Sequence, residues 1–143
     1  MEQLKKAGSA PGYKGIELQQ LVDGLVGNSL SVAKKNNSIV VNEIDSGVVL
    51  QSVDERLLEL LNDIFTAVIS NSRRGKIHIR AEKYDELLEF FITERNNYNG
   101  YALSFSIGAL AEEAAELGAN LDIKDPQRLE TTICLCIPEG IAA

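Results

Sequence analysis

The sequence predicts an α/β (α+β) fold, a two-layer sandwich in which a largely antiparallel mixed sheet is covered on one face by three helices. Three segments with three- and four-residue apolar spacing alternate with three pairs of short segments in which apolar and polar residues alternate. Short turns join the strands of each pair, so the two members should be antiparallel neighbours. A chain of 143 residues is long enough to bury one core.

The N-terminal third predicts a leader, a helix and a hairpin. Residues 1–15 contain Gly, Ser, Pro and Lys without periodicity, which is typical of a flexible leader or linker remnant, so the folded domain is expected over residues 16–140. Apolar spacing predicts a helix from Ile16 to about Lys35. The β-branched run SIVVNEID and the run VVLQS, separated by Ser46-Gly47, favour an antiparallel hairpin.

A second helix is expected from a capping box formed by Ser52 and Glu55 to about Asn71. One side of it is apolar, with Leu57, Leu60, Leu61, Ile64 and Val68, and the other is polar, with Glu59, Asn62, Thr66 and Ser70. Asp63 and Ala67 fall on the boundary, where a side chain can face a cleft beside the core. Periodicity alone is equally typical of an ordinary solvated helix face.

The second half predicts two more strand pairs around a third helix. Gly75 precedes the strand KIHIRAE, and Leu88, Phe90 and Ile92 alternate in the next strand. A small-residue helix, SFSIGALAEEAAEL, should end at Gly118. The strands ANLDIK and TTICLCIP then complete the chain.

Charge and composition argue against several kinds of partner and against a zinc site. The formal charge of −7 argues against nucleic acid and against an anionic membrane surface as partners. No apolar run reaches the roughly 18 to 20 residues of a spanning helix, and no signal peptide is apparent, so we expect a cytoplasmic protein. Cys134 and Cys136 share one strand face and are expected to be buried, reduced thiols. With His78 as the single histidine, a Cys/His zinc site lacks ligands.

The segment Arg56-Leu57-Leu58-Glu59-Leu60-Leu61-Asn62-Asp63-Ile64-Phe65-Thr66-Ala67-Val68-Ile69-Ser70 resembles a family pattern, Arg-Leu-x-Gln-x-Leu-x-Asn-Leu-Leu-x-Asn-Ala-x-Lys. That pattern belongs to the catalytic, ATP-binding domain of sensor histidine kinases in the GHKL superfamily, and the resemblance extends from about Ile16 to Pro138. It places Asp63 at the first Asn position, which implies a role near magnesium, since Mg²⁺ prefers oxygen ligands. Ala67 replaces the second Asn and Ser70 replaces the Lys.

The same resemblance assigns the adenine end of the family's site. Its Asp-x-Gly-x-Gly motif falls on Glu94, at the Asp position that accepts from the adenine amino group, and on Asn96 at the first Gly. The pattern Gly-Thr-x-Phe-x-x-x-Leu-Pro is similar to residues 130–138, and Thr131 matches the Thr that helps to hold adenine.

The phosphate end departs further from the family. Only Asn97 to Leu103 stand where the family has a long lid, and the glycine box resembling Gly-Leu-Gly-Leu-Ser reads Ser104-Phe105-Ser106-Ile107-Gly108. The resemblance implies that Ser104 caps the third helix and that Ser104 and Ser106 lie near the phosphates.

Three functional hypotheses follow. The first is a degenerate kinase-like domain of bacterial two-component signalling that contacts a signalling protein, either a histidine phosphoacceptor domain or a response regulator, and whose binding of ATP and Mg is weak or lost. The second is an ATP-binding catalytic domain that phosphorylates a His-bearing partner, which predicts a nucleotide-shaped cleft beside residues 95–104, free of Tyr98, Tyr101 and Phe105. The third is a module that binds another small ligand in that cleft. No residue of this chain is predicted to be catalytic, because His78 lies in a strand and no phosphoacceptor His is apparent.

Overall fold

The structure is a computed structural model that describes residues 16–50, 53–84, 87–95, 100–124 and 130–138. The predicted leader, residues 1–15, therefore lies outside the described residues. The elements are β1 (Ile16–Glu17), α1 (Leu18–Gly27), α2 (Leu30–Lys35), β2 (Ile39–Asn42), β3 (Val49–Leu50), α3 (Glu55–Ser70), β4 (Lys76–Tyr84), β5 (Leu87–Arg95), α4 (Gly100–Glu116), β6 (Asn120–Lys124) and β7 (Glu130–Pro138).

The main sheet has five described strands in the order β2-β4-β5-β7-β6. The pair β2–β4 is parallel, and the pairs β4–β5, β5–β7 and β6–β7 are antiparallel. The predicted largely antiparallel mixed sheet is therefore confirmed, as are the predicted strands of the second half of the chain.

The helices cover one face of this sheet. Alternate residues of the central strands are buried there: Ile77, Ile79, Leu88, Phe90, Ile92, Ile133, Leu135 and Ile137. Helix α3 lies in the middle of the helical layer and contacts α1, α2 and α4. The other face of the sheet is open, and its side chains are half-buried or exposed, including the free thiols of Cys134 and Cys136, which were expected to be buried.

The N-terminal third differs from the prediction in two ways. The single helix expected from Ile16 is divided into α1 and α2 at Asn28-Ser29, and its first two residues form β1, which pairs antiparallel with β3. The predicted hairpin of the next two strands is wrong, because β2 pairs with β4 instead. The amide of Asn42 donates to the Gln19 carbonyl at 3.0 Å and to Asp23 Oδ1 at 2.8 Å, which ties the end of β2 to α1 rather than to a returning strand.

Helix α3 follows the predicted pattern closely. Its apolar side is buried, and it ends at Ser70, within one residue of the expected end. Ser52, the predicted cap, lies outside the described residues, and Asp54 occupies the N-cap, where its carboxylate accepts from the Arg56 backbone N–H at 2.8 Å.

Helix α4 begins at Gly100, before the predicted start at Ser104. Ser104 is therefore inside the helix and does not cap it. The C-terminal prediction is confirmed: Gly118 has a φ of 84°, and the backbone N–H groups of Gly118 and Ala119 donate to the carbonyls of Ala115 and Ala114, both at 2.9 Å. This is the Schellman arrangement that glycine favours. Among the described residues, no helix is long and apolar enough to cross a membrane.

Candidate functional site

The predicted adenine-contacting residues meet at one end of the main sheet. Glu94 is the last inward-facing residue of β5, and its cross-strand partners are Ile77 on β4 and Thr131 on β7. Both Glu94 and Thr131 have 0% exposure. The structure thus places these two predicted residues side by side on the helix-covered face, as their alternation in the sequence requires.

Ser72 and Gly75 lie beside the Glu94 carboxyl, and Ser38 is hydrogen-bonded to both of them. Ser38, before β2, donates from its hydroxyl to Ser72 Oγ at 3.0 Å, and Ser38 Oγ accepts from the Gly75 backbone N–H at 3.3 Å. A Cβ atom added to Gly75 would lie 2.5 Å from Ser72 Oγ and 2.7 Å from Glu94 Oε2. We call Ser38, Ser72, Gly75 and Glu94 the serine–glutamate cluster. Sequence reasoning missed the first three of these residues.

The environment of Glu94 is unusual for a carboxylate. Neither of its carboxyl oxygens has a hydrogen-bond partner within the described part of the chain. Burial raises the pKa of Glu94 to about 7, and the nearby Ser72 hydroxyl opposes part of that rise. At neutral pH this group is therefore close to the midpoint of its titration, and a large share of the molecules carry it as a neutral acid.

Asp63 lies on the exposed side of α3, about 10 Å along the helix axis from its end at Ser70. It faces other carboxylates: the pKa of Glu113 on α4 is raised, first by burial and then by the negative charges of Asp63, Glu59 and Glu116. In the described residues no group of three His, Cys, Asp or Glu side chains is placed to hold a metal ion, and the magnesium role of Asp63 stays a prediction.

The remaining predicted residues are on α4 or beyond the described ranges. Ser104 and Ser106 are half-buried, and the helix already begins at Gly100. The backbone N–H of each therefore points to a carbonyl one turn earlier and is not free for a phosphate. Asn96 and Tyr98 lie outside the described residues, as does the side chain of Tyr101.

Two cavities in the described part of the chain lie away from Glu94. One of about 560 Å³ lies between the turn at Gly47 and the end of β4 near Tyr84. Another of about 320 Å³ lies on the open face of the sheet, beside Thr93 and Arg95. Phe105 fills no cleft, as the catalytic hypothesis requires of it, because 82% of the residue is exposed.

Solved structures show where this fold has been seen before, although no protein-family model and no curated protein matches the sequence. The catalytic domain of the histidine kinase ThkA, in a nucleotide-free form, gives a TM-score of 0.67 with 14% identity over 87% of this chain and 93% of that chain. A histidine kinase from Burkholderia phymatum gives 0.71 with 13% identity, over 90% and 70%. The histidine kinase AdeS from Acinetobacter baumannii gives 0.69 with 11% identity, over 95% and 72%.

The fold is therefore that of the catalytic domain of a bacterial sensor histidine kinase, which confirms the predicted resemblance for the architecture. At identities of 11–14% the likeness shows the fold alone.

Proposed function

We propose that this domain works in bacterial two-component signalling by contacting another signalling protein, and that its binding of Mg-ATP is weak or lost. The observation that carries the proposal is the closure around Glu94. The residue that the resemblance assigns to the adenine amino group has 0% exposure, so a base can reach it only if the surrounding structure opens. Opening would take apolar neighbours such as Ile77 and Ile92 out of a packed environment, which costs free energy.

The phosphate end supports the same conclusion. Asp63 shares its surroundings with Glu59 and Glu113, so a triphosphate placed there would meet like charge. Ala67 offers no oxygen to a metal, and Ser70 offers no positive charge. The early start of α4 also leaves the N–H groups of the glycine-box serines inside the helix.

A surface suited to protein contact lies on the same helix. Ala102, Phe105, Gly108 and Ala109 are exposed on α4, and Phe105 is a large aromatic side chain with 82% exposure. Exposed aromatic side chains on an apolar helix face are typical of interaction sites. For the partner we propose a histidine phosphoacceptor domain or a response regulator.

The first test is calorimetry of the purified domain with ATP and ADP, with and without magnesium. We expect no binding heat at millimolar nucleotide. Magnesium-dependent binding that disappears in Glu94→Gln but persists in the exposed control Glu112→Gln would overturn the proposal and support the catalytic hypothesis, in which a His-bearing partner is then the substrate.

The second test addresses the contact surface. Phosphoacceptor and receiver domains from the same cell would be titrated against the wild-type domain and against Phe105→Asp. We expect one of them to bind, with at least a tenfold loss of affinity, about 1.4 kcal/mol, in the variant. Leu30→Asp is the matched control, because Leu30 is a 52% exposed apolar residue on a different helix. Equal losses in both variants, or no binding partner among these domains, would contradict the proposal.

One observation favours the third hypothesis, a site for another small ligand. Glu94 is a buried carboxyl group without a hydrogen-bond partner in the described residues, and such groups are uncommon unless a ligand or water satisfies them. Adenosine belongs in the same calorimetric series: nucleoside binding without affinity for Mg-ATP would favour this alternative over protein contact alone.

A further inference from the structure

We propose that the open face of the sheet carries a binding site for a small phosphate group, formed by His78, Arg80, Thr93 and Arg95. These four side chains line the cavity of about 320 Å³ together with Glu43 and Glu130. The cavity lies on the face opposite the helices, because Thr93 and Arg95 flank the inward-facing Glu94 on β5. The inference is therefore independent of the proposed function.

The strand register explains why the cavity has this shape. His78 and Thr93 are a cross-strand pair and form the floor with comparatively short side chains. Arg80 is two residues further along β4, and Arg95 is two residues further along β5 in the opposite direction. The two arginines thus rise from rows about 13 Å apart, on either side of the floor, and can both reach a group that is held between them.

Arg80 is the cation best placed to hold an anion. Its guanidinium lies over the Phe91 ring, 5.2 Å from the centroid, a contact that fixes the planar group and leaves its N–H edge available. Among the described residues, no carboxylate forms an ion pair with it. The unpaired Arg80 guanidinium and the Thr93 hydroxyl are donors whose hydrogen bonds phosphate oxygens can accept.

The two carboxylates of the lining already have other polar partners. Glu43 Oε2 lies 3.1 Å from His78 Nδ1, and Glu130 Oε2 accepts from Arg95 Nε at 3.0 Å. The two carboxylates are 42% and 53% exposed, so each contact is weak and exchangeable, and Arg95 keeps its terminal nitrogens for another acceptor. Glu130 nevertheless repels an anion, so removal of its charge should strengthen phosphate binding.

The experiment is an NMR titration of the isotope-labelled domain with inorganic phosphate, with sodium chloride at matched ionic strength as reference. We expect shifts of the Thr93 amide and of the arginine Nε–H signals, with a Kd of about 1 mM. Arg80→Gln should weaken binding about tenfold, Arg80→Lys should weaken it less, and Glu130→Gln should strengthen it severalfold. Lys124→Gln removes a cation from β6, outside the cavity, and should change the Kd by less than about twofold.

The spectra of the variants also show whether they fold. No phosphate-dependent shifts in the wild type, or equal weakening in Arg80→Gln and Lys124→Gln, would overturn the site. A parallel titration uses a soluble phosphate monoester and vesicles that contain phosphatidic acid. If the monoester binds more tightly than inorganic phosphate, the ligand of the site is a soluble phosphate compound. If only the vesicles bind, the ligand is the phosphate headgroup of a lipid.

Discussion

Replacing Glu94 with Gln should abolish a loss of stability that the wild-type protein shows as the pH rises from about 4.5 to about 7. In the folded state burial raises the pKa of Glu94 from 4.5 to about 7, so the folded protein holds a proton that the unfolded chain releases in this range. The unfolded state binds fewer protons, and the free energy of unfolding therefore falls as the pH rises. The two pKa values correspond to a difference of about 3 kcal/mol.

Urea denaturation at a series of pH values measures this effect. The difference in unfolding free energy between Glu94→Gln and the wild type should shift by about 3 kcal/mol in favour of the variant between pH 4.5 and pH 8. Glu112→Gln, on the exposed side of α4, should follow the wild type throughout. Parallel curves for Glu94→Gln and the wild type would mean that Glu94 is hydrated in solution, and the closed site would then be wrong.

Gly75→Ala should destabilise the domain by about 1–3 kcal/mol. The added methyl group would lie 2.5 Å from Ser72 Oγ, 2.7 Å from Glu94 Oε2 and 3.0 Å from the Arg95 carbonyl oxygen, and one of these is backbone that cannot easily move. Gly75 has no positive φ, so this cost is steric rather than conformational. The measurement is the midpoint and slope of urea denaturation.

Gly108→Ala is the matched control for the same change of side chain. Gly108 lies within α4, and a Cβ atom there meets nothing within 4 Å, so alanine should stabilise the domain by about 0.5–1 kcal/mol. The double variant Gly75→Ala/Glu94→Ala should cost less than the sum of its single variants, since removing the carboxyl frees space for the methyl group. Additive costs would show that the two residues do not share the packed cluster.

The sequence was most informative where structure is local. Helix α3 and strands β4 to β7 follow from periodicities within single segments, and Glu94 and Thr131 lie opposite each other because alternation places both on the inner face. The parallel pairing of Ile39 with Lys76 and the antiparallel pairing of Ile16 with Leu50 are long-range, and no periodicity specifies them.

The same limit applies to the candidate site. The hydrogen bond from Ser38 to Ser72 joins residues 34 positions apart, and two isolated serines carry no pattern that pairs them. The early start of α4 at Gly100 was missed because Ser104 is a good capping residue by type, whereas the apolar Leu103 before it is buried as part of the helix.

The parallel strand β2 also determines the order in which the cluster can assemble. Ser38 comes into place only when β2 pairs with β4, a contact that closes a loop containing the whole of α3 and therefore forms slowly compared with the β4–β5 hairpin. Until that step, Ser72 and Gly75, which lie beside Glu94, lack their hydrogen-bond partner Ser38. Proton uptake by this single carboxyl during refolding at near-neutral pH should therefore coincide with the pairing of β2 with β4. Measuring that uptake would follow this late folding step without an added label.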